Sequence, residues 1–432
     1  MRHPSPLAAL SLLAGLLAGC ANSHTTPATT AVEPQGRADA VVTTATRARI
    51  DSTLRAFVDA GSVAGVSALV WEKGREVYFG AHGMADREAK RPMARDAIVQ
   101  IFSMTKPVTG VALLQLVEQG KVRLDDPIAT HLPEFAGLRV YAGADAAGAP
   151  VLVPPRRPPT VRDLTRHTAG FATGGDNPGV GPLLQAADPM ARTNTLVQMG
   201  ERLARVPLLF HPGERWAYGP SVDVQALLVE RVSGIPFDRY LQERVFAPLG
   251  MRETRYLVPE SDRGRFAALY FRSDAGALSR VPDGQALAGN TTRWALTPGG
   301  FGLTATIDDY MRFARMLLGE GALGDARVLR PETVRLMATN HLAETITDRS
   351  WLPSKGQVGF GVDVAVRLRP PATAQENNGT VGEFFWDGAA STLFWVDPAN
   401  QLAAVLFVQL MPFDRVGLHK GFRDAVYGRA FR

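Results

Sequence analysis

Apolar and polar residues recur with two different periods along the chain, and these periods predict where helices and strands lie. Ile50, Leu54 and Phe57 recur at helical spacing, and Gly61 follows them. This pattern predicts an amphipathic helix that ends at a glycine. The next stretch, GVSALVWEKGREVYFGAHG, has two runs of strand-forming residues around Gly74, which is typical of a β-hairpin.

The C-terminal end shows the same two elements in reverse order. The stretch STLFWVDPANQLAAVLFVQL contains two strand-forming runs joined by Pro398, Ala399 and Asn400, and a helical pattern begins near Gly417. Because sheets and helices bury their apolar faces against each other, these elements favour one layered structure. The predicted fold class is therefore α/β, with an antiparallel sheet flanked by helices and built from both chain ends.

Amphipathic stretches also occupy the middle of the chain, where loops rich in Pro and Gly separate them. Examples are SVDVQALLVERVSG and IDDYMRFARMLLGEG. The pattern predicts one domain over residues 45–432. Its α/β part comprises residues 45–125 and 300–432, and a mainly helical region over residues 126–299 is inserted between them.

The N-terminal segment has a different composition. Arg2 precedes an apolar run that is too short to span a bilayer, which predicts a signal peptide over residues 1–19. Residues 20–44 are rich in Thr, Ala and Pro and are expected to form a flexible linker.

The sequence LAGC, which ends at Cys20, resembles the bacterial lipoprotein box. The resemblance implies an exported lipoprotein whose lipidated Cys20 anchors it to a membrane, expected to be the outer membrane with the protein facing the periplasm. Cleavage at another site, which would remove Cys20, is the alternative.

Composition and charge narrow the functional classes. The 432 residues are 46% hydrophobic and 21% charged, as in globular proteins. The net charge of +5 is spread along the chain with no basic run longer than Arg156-Arg157, so we expect no nucleic-acid binding. The eight histidines show no metal-ligand spacing, and the common zinc, phosphate-loop and dinucleotide motifs are absent, so we expect no metal and no cofactor. Cys20 is the only cysteine, which excludes a disulfide within the chain.

One stretch, FSMTKPVTG, carries candidate chemistry. Pro107 is tolerated only in the first turn of a helix, which places the helix start near Ser103. Lys106 follows three residues later, within reach of the serine hydroxyl. A lysine at a helix N-terminus is better tolerated when neutral, and a neutral lysine can accept the proton of a serine. Only six of the 47 basic residues are lysines, which favours a specific role here, although Ser103 could also be a simple helix cap.

The SMTK motif resembles the nucleophile motif of serine β-lactamases and penicillin-binding proteins. Six further stretches resemble the branch with class C β-lactamases and follow the family order from about residue 48: LDDPIATHLPEF, TVRDLTRHTAGF, HPGERWAYGPS, FAPLGMRET, LTPGGFGLTATIDDYMRF and WDGAASTLFWVDP. The subgroup that the chain resembles most is that of the family VIII carboxylesterases.

The resemblance implies roles for three side chains. Ser103 would be the acylated nucleophile, and Lys106 would accept its proton. Tyr218 lies where the family has the tyrosine of its YxN motif, which relays the proton together with the lysine. Taken alone, Tyr218 would more often be a half-buried aromatic residue, and the family order of the motifs is what favours the catalytic role.

A second group of residues is implied near the C-terminus. Trp386, Asp387 and Gly388 lie where the family has KTG, HxG or WxG on a strand beside the nucleophile, so Trp386 and Gly388 would contribute to substrate binding. The backbone N–H of Ala389, with that of Ser103, would form the oxyanion hole. Trp386 could also be an ordinary core residue.

Two other family matches have structural interpretations. His167, in the stretch RHTAG, is expected to satisfy a buried hydrogen bond rather than to catalyse. Gly299, Gly300 and Gly302, in PGGFG, are expected to permit a tight turn or a close backbone approach.

Departures from the β-lactamase motifs indicate the substrate. Pro220 replaces the asparagine of YxN and offers no polar side chain, and Trp386 replaces the lysine that binds a substrate carboxylate. Asp387 would repel a carboxylate if it faced the site. These changes disfavour an anionic substrate and favour an uncharged small-molecule ester or lactone with an apolar acyl group, so the predicted function is a serine carboxylesterase. The alternatives are a β-lactamase or D-alanyl-D-alanine carboxypeptidase acting on a lactam or peptide, an acyltransferase, and a non-catalytic penicillin-binding-like module.

Overall fold

The structure is a computed structural model that describes residues 40–174, 177–347 and 357–428. The predicted signal peptide, Cys20 and the linker up to residue 39 lie outside these residues. Among the described residues, no helix combines the length and the apolar composition that crossing a bilayer requires.

Helices surround a central sheet. The α-helices of the described residues are α1 Thr44–Asp59, α2 Thr105–Glu118, α3 Val161–Thr165, α4 Gly181–Ala187, α5 Leu196–Leu203, α6 Ser221–Ser233, α7 Phe237–Leu241, α8 Ala247–Leu249, α9 Asp283–Ala286, α10 Ala288–Thr291, α11 Ile307–Leu318, α12 Pro331–Met337 and α13 Leu418–Tyr427. Short 3₁₀ turns lie at Phe102–Met104, Ile128–Thr130, Pro133–Gly137 and Glu260–Arg265, and a π-helical turn lies at Gln242–Phe246.

The strands form one large sheet and several small ones. They are β1 Gly65–Glu72, β2 Arg75–Asp86, β3 Arg91–Pro92, β4 Val99–Gln100, β5 Val140–Ala144, β6 Pro150–Val153, β7 Tyr270–Arg272, β8 Leu278–Arg280, β9 Thr304–Ala305, β10 Ala322–Leu323, β11 Ala326–Arg327, β12 Val358–Phe360, β13 Ala365–Arg367, β14 Phe384–Asp387, β15 Leu393–Asp397, β16 Leu402–Val408 and β17 Leu410–Met411. The large sheet has the order β12-β13-β14-β15-β16-β1-β2-β3, and every neighbouring pair in it is antiparallel.

Helices cover both faces of this sheet. Phe394 and Trp395 are successive residues of β15, so their side chains point to opposite faces. The Phe394 ring lies 5.1 Å from that of Tyr310 on α11, and the Trp395 ring lies 5.2 Å from that of Phe422 on α13. Helix α1 packs beside α13. Because both faces are covered, every residue of β16 is buried and the strand is apolar throughout.

The predicted α/β fold is confirmed. Strand β1 pairs with β2 on one side and with β16 on the other, so the hairpins from the two chain ends share the sheet. The inserted region contains α3 to α10, as expected, but also the hairpins β5–β6 and β7–β8, which the sequence analysis did not predict. These strands have at most five residues, which is too short for a clear period-two pattern.

Three elements converge where the candidate chemistry lies. Strand β14 ends at Asp387, and the turn that follows it reaches the chain just before α2. That chain leaves β4, which is held by pairing with β9, and α2 then packs against α6.

Candidate active site

Ser103 lies in the 3₁₀ turn that precedes α2. The Ile101 N–H donates to the carbonyl of Leu303 at 3.1 Å, and the Met104 N–H donates to the carbonyl of Ile101 at 3.0 Å. The N-cap of α2 is Met104, which makes no side-chain capping bond. The alternative interpretation of Ser103 as the helix cap is therefore wrong, because its side chain is directed to Lys106 instead.

Lys106 connects the serine to a second loop. Its Nζ donates to the Ser103 Oγ at 3.2 Å and to the Gly300 carbonyl at 2.7 Å, and only 4% of the residue is exposed. The Gly300 N–H in turn donates to Oδ1 of Asp223 on α6 at 3.0 Å. The side chain of Lys106 is thus held between the turn that carries Ser103 and the loop before β9.

Burial sets the charge state of this lysine. It lowers the pKa of Lys106 to about 8, while the buried carboxyls of Asp223, Asp363 and Asp387 act in the opposite direction. Burial also raises the pKa of Asp223 and of Asp363, and Lys106 opposes both changes. About a tenth of Lys106 is therefore neutral at pH 7, far more than of a free lysine, and the neutral form is the one that a proton acceptor requires.

Tyr218 lies beside both groups. Its ring centre is 4.5 Å from the Lys106 Nζ, and Ser103 and Trp386 lie close enough to its hydroxyl for both to act on its pKa. Burial raises the pKa of this phenol, so Tyr218 holds its proton more tightly than a free tyrosine. The structure thus brings the three residues predicted as catalytic into one cluster.

Trp386 and Gly388 do not line the cavity, where the predicted contribution to substrate binding would place them. Trp386 is fully buried and packs against Tyr218, with a ring distance of 5.7 Å, instead of offering an apolar face to the cavity. Gly388 faces the Ile101 carbonyl and Thr392, where a Cβ would collide with both. Sequence alone could not show this, since it does not reveal which side of β14 faces the cavity.

Asp387 is also buried and does not line the cavity. Its carboxyl acts on Lys106 and on Tyr218 through charge. Repulsion of a substrate carboxylate is predicted only for an Asp387 that faces the site, and the buried Asp387 does not meet this condition.

Ala389 is the exposed residue at the end of this strand. It lines the same cavity as Ser103. Among the described residues its N–H donates to no backbone carbonyl, in contrast to the N–H of Gly388, which donates to Thr392 at 3.0 Å. This position agrees with the predicted oxyanion role of Ala389 and Ser103, which remains a prediction.

His167 is not held by the hydrogen bond that was expected. Its ring is fully buried, and neither ring nitrogen has a hydrogen-bond partner in the described part of the chain. The ring instead lies 4.8 Å from that of Tyr218, 5.8 Å from that of Trp216 and 5.4 Å from that of Phe360. Burial, and secondarily the charge of Lys106, holds the pKa of His167 well below its usual range, so the ring is a neutral packing group.

The glycines of PGGFG have the predicted structural role. A Cβ on Gly299 would collide with the Val222 carbonyl of α6, and Gly302 has a φ of +102°, which favours glycine. These close approaches allow the Gly300 carbonyl to reach Lys106.

The cluster opens into a cavity of about 730 Å³. Most of its lining is apolar and comes from α4, the loop after it and the loops around Ser103: Phe102, Leu184, Pro189, Met190, Pro220 and Phe301. Lys106 is the only cationic side chain among the described residues that line it, and Asp188 and Asp223 are the acidic ones. The described residues also contain no cluster of side chains suited to a metal ion.

Sequence reasoning missed two buried carboxyls near Lys106. Asp223 follows Tyr218 by five residues in the first turn of α6, where an acidic residue is common for electrostatic reasons and gave no separate signal. Asp363 accepts a hydrogen bond from Gln225 at 3.0 Å and has a φ of +56°. It lies 257 residues after Lys106 in the sequence, so only the fold brings the two together.

Comparisons with known proteins identify the family of the chain. The sequence model of the family described as "Beta-lactamase" matches residues 50–427. An uncharacterized protein of Mycobacterium tuberculosis is 33% identical over 374 residues, which cover 84% of this chain and 89% of that protein. Lovastatin esterase of Penicillium rubens is 30% identical over 405 residues, which cover 88% and 98% of the two chains. The solved structure of EstCE1, described as a hydrolase with promiscuous acyltransferase activity, has a TM-score of 0.73 and 27% identity over 89% of this chain and 99% of its own.

Proposed function

Because the chain belongs to the Beta-lactamase family of serine hydrolases and has esterase and acyltransferase relatives, we propose that it cleaves carboxylic esters through an acyl-enzyme on Ser103. The observation that supports esters over lactams is the lining of the cavity. The described residues that line it are mostly apolar. The one cationic side chain among them, Lys106, is already hydrogen-bonded to Ser103 and Gly300. Among the described lining residues, a substrate carboxylate would find no free cationic partner.

The proposed mechanism begins with proton transfer. Neutral Lys106 accepts the hydroxyl proton of Ser103 as the Ser103 Oγ attacks the ester carbonyl carbon. The Ser103 and Ala389 N–H groups stabilise the oxyanion. The Tyr218 hydroxyl protonates the departing alcohol oxygen and recovers a proton from Lys106. A water molecule then attacks the acyl-enzyme and releases the acid, with the proton transfers reversed.

The decisive experiment compares two chromogenic substrates on the same enzyme. Wild-type protein and Ser103→Ala are assayed with p-nitrophenyl butyrate and with a chromogenic cephalosporin. We expect ester turnover by the wild type, loss of at least about 10³-fold in Ser103→Ala, and little cephalosporin hydrolysis. Comparable rates on the cephalosporin would favour the β-lactamase or peptidase alternative. The absence of any wild-type turnover would favour a non-catalytic binding module.

Acyl transfer is a second candidate function. Two observations favour it: the cavity of about 730 Å³ has room for an acyl group and an acceptor, and the structurally similar EstCE1 is a hydrolase with promiscuous acyltransferase activity. An acceptor alcohol would attack the acyl-enzyme in place of water. Mass spectrometry of reactions with a vinyl ester and an added alcohol would detect the new ester.

We also propose the lipid anchor at Cys20 and a periplasmic location, as the lipoprotein box implies. Residues 41 and 42, which the sequence analysis assigned to the flexible linker, are held by the fold instead. The Val41 and Val42 N–H groups donate to the Glu72 carboxylate at 2.6 and 3.1 Å. Glu72 is the last residue of β1. It lies at the end of the sheet opposite to the end where β14 leads to Ala389.

A further inference from the structure

Phe102, the residue before Ser103, has a backbone conformation that is unfavourable for a bulky side chain. Its φ is +45°, in the left-handed region that glycine adopts without strain. Lys73 and Lys90 also have positive φ but lie in turns between strands, whereas Phe102 and the buried His167, with a φ of +56°, are aromatic residues beside the candidate site. Strained backbone of this kind is concentrated at functional sites and persists only where surrounding contacts enforce it.

Contacts on both sides of Phe102 enforce this conformation. The preceding residue is held because Ile101 donates to the Leu303 carbonyl at 3.1 Å and its own carbonyl accepts from Met104 at 3.0 Å. On the other side, the Thr105 N–H donates to the Phe102 carbonyl as α2 begins. A glycine would satisfy all of these contacts without strain, so they do not explain why a phenylalanine is present.

The phenyl ring does not serve the core either. Among the described residues, Phe102 is neither a member of an apolar core cluster nor packed against one. It is half-buried and lines the cavity next to Ser103. The strained conformation therefore accompanies an aromatic ring that lies in the cavity wall, on the residue just before the candidate nucleophile.

We infer that Phe102 determines acyl-group specificity by closing the space beside the carbon that Ser103 attacks. This inference rests on the proposed esterase function. The acyl carbon stays bonded to the Ser103 Oγ through half of the reaction, so its substituents must fit beside residue 102, whereas the alcohol leaves. A flat ring there accepts an unbranched chain and collides with a branched α-carbon. The substrate class is esters of unbranched acyl groups.

The test is a ratio of rates in matched variants. Wild type, Phe102→Gly and Phe102→Leu are assayed with p-nitrophenyl butyrate and p-nitrophenyl trimethylacetate. We expect kcat/KM for the branched ester, relative to the unbranched one, to rise about 10-fold or more in Phe102→Gly, since one or more methyl groups gain room, and less in Phe102→Leu. Lys90→Gly is the control, because it removes a positive-φ side chain (φ +54°) from an exposed turn and should leave the ratio unchanged.

The outcomes separate this inference from the proposed function. If wild type hydrolyses neither ester, the esterase proposal fails. If wild type hydrolyses butyrate but the ratio stays within about twofold in both Phe102 variants, the specificity role is overturned while the esterase proposal stands. If both variants lose all activity although their melting temperatures match that of wild type, the ring is needed to form the nucleophile turn, and the specificity role is overturned as well.

Discussion

The side chain of Lys106 shows how strongly burial changes the chemistry of a single residue. A free lysine is almost fully protonated at neutral pH, but burial lowers the pKa of Lys106 to about 8. Three buried carboxyls counteract the burial and keep this pKa from falling further. As a result, Lys106 can be neutral near physiological pH, and its side chain is already hydrogen-bonded to Ser103.

We therefore predict a pH profile governed by Lys106. Ester kcat/KM should rise with pH as the lysine loses its proton, with a midpoint near its pKa of about 8, and then level off. Asp223→Asn should move the midpoint to lower pH, because the carboxylate favours the charged lysine. The measurement is the pH dependence of p-nitrophenyl butyrate hydrolysis by both proteins.

A control for this shift is Asp309→Asn. Asp309 is a buried carboxyl that accepts from the Glu253 N–H at 2.8 Å and from Thr254 at 3.0 Å, and it has no part in the Lys106 shift. Its replacement should leave the midpoint in place. An unmoved or raised midpoint in Asp223→Asn would contradict the assignment of Lys106 as the base.

His167 gives a second residue-scale prediction, on stability. Because neither ring nitrogen has a described hydrogen-bond partner, His167→Phe loses no described hydrogen bond, but the φ of +56° suits a phenylalanine less well, so the free energy of unfolding should fall by less than about 2 kcal/mol. His167→Ala leaves a cavity beside Tyr218 and should cost about 2 to 4 kcal/mol. Denaturant unfolding measures both. A loss above about 2 kcal/mol in His167→Phe would exceed the expected backbone strain and reveal a buried hydrogen bond, such as one to water.

At the scale of elements, the site depends on close contact between the turn after β14 and the turn before α2. Gly388 makes this contact possible because a side chain there would collide with the Ile101 carbonyl. The contact sets the position of Ala389 relative to Ser103, the two residues whose N–H groups form the proposed oxyanion hole.

We predict that Gly388→Ala separates the two turns and lowers ester kcat/KM by about 10²-fold, comparable to the loss of one oxyanion donor. Gly137→Ala is the matched control, since a Cβ at Gly137 meets nothing within 4 Å and its φ is not positive. Steady-state kinetics and a melting curve for both variants make the test. Wild-type kinetics in a folded Gly388→Ala protein would refute the required contact.

On the scale of the whole molecule, a buried ion network joins the C-terminal helix to the sheet. Glu383 Oε1 accepts from Arg367 Nε and from Arg423 Nη1, both at 2.8 Å, and all three side chains have at most 1% exposure. Arg367 belongs to β13 and Arg423 to α13, while Glu383 directly precedes β14. The network therefore ties together elements that support the strand next to the site.

Removing the single carboxylate should leave two buried guanidinium groups without their counter-ion. We predict that Glu383→Gln lowers the free energy of unfolding by about 3 to 5 kcal/mol, as measured by denaturant titration. Glu320→Gln removes the exposed ion pair with Arg335, at 2.7 Å, and should change stability by less than about 0.5 kcal/mol. Equal effects of the two substitutions would contradict this prediction.

The proposed anchor is tested in the intact protein. Cys20→Ala, expressed in a bacterium that processes lipoproteins, should move from the membrane fraction to the soluble exported fraction and retain wild-type ester turnover. Labelling with a fatty-acid analogue should be lost at the same time. Membrane association that persists in Cys20→Ala would refute lipid anchoring at this residue.

The sequence by itself determined the elements at both chain ends and the family. The period with which apolar residues recur is a local property of the sequence, so α1 and the hairpin β1–β2 could be predicted from residue spacing. Ser103 and Lys106 could also be paired from sequence because one helical turn brings them together. The hairpins of the inserted region escaped prediction because their strands are too short to show a period.

Only the tertiary structure decided the environment of this pair. The buried Asp223 and Asp363, the packing of His167 on Tyr218 and the placement of Trp386 behind the cavity arise from contacts between distant segments, which local patterns do not encode. Burial in turn sets the charge of Lys106, because the free energy of a charge depends on everything that surrounds it. The sequence thus identified the candidate reacting groups, and the fold determined their protonation and the space around them.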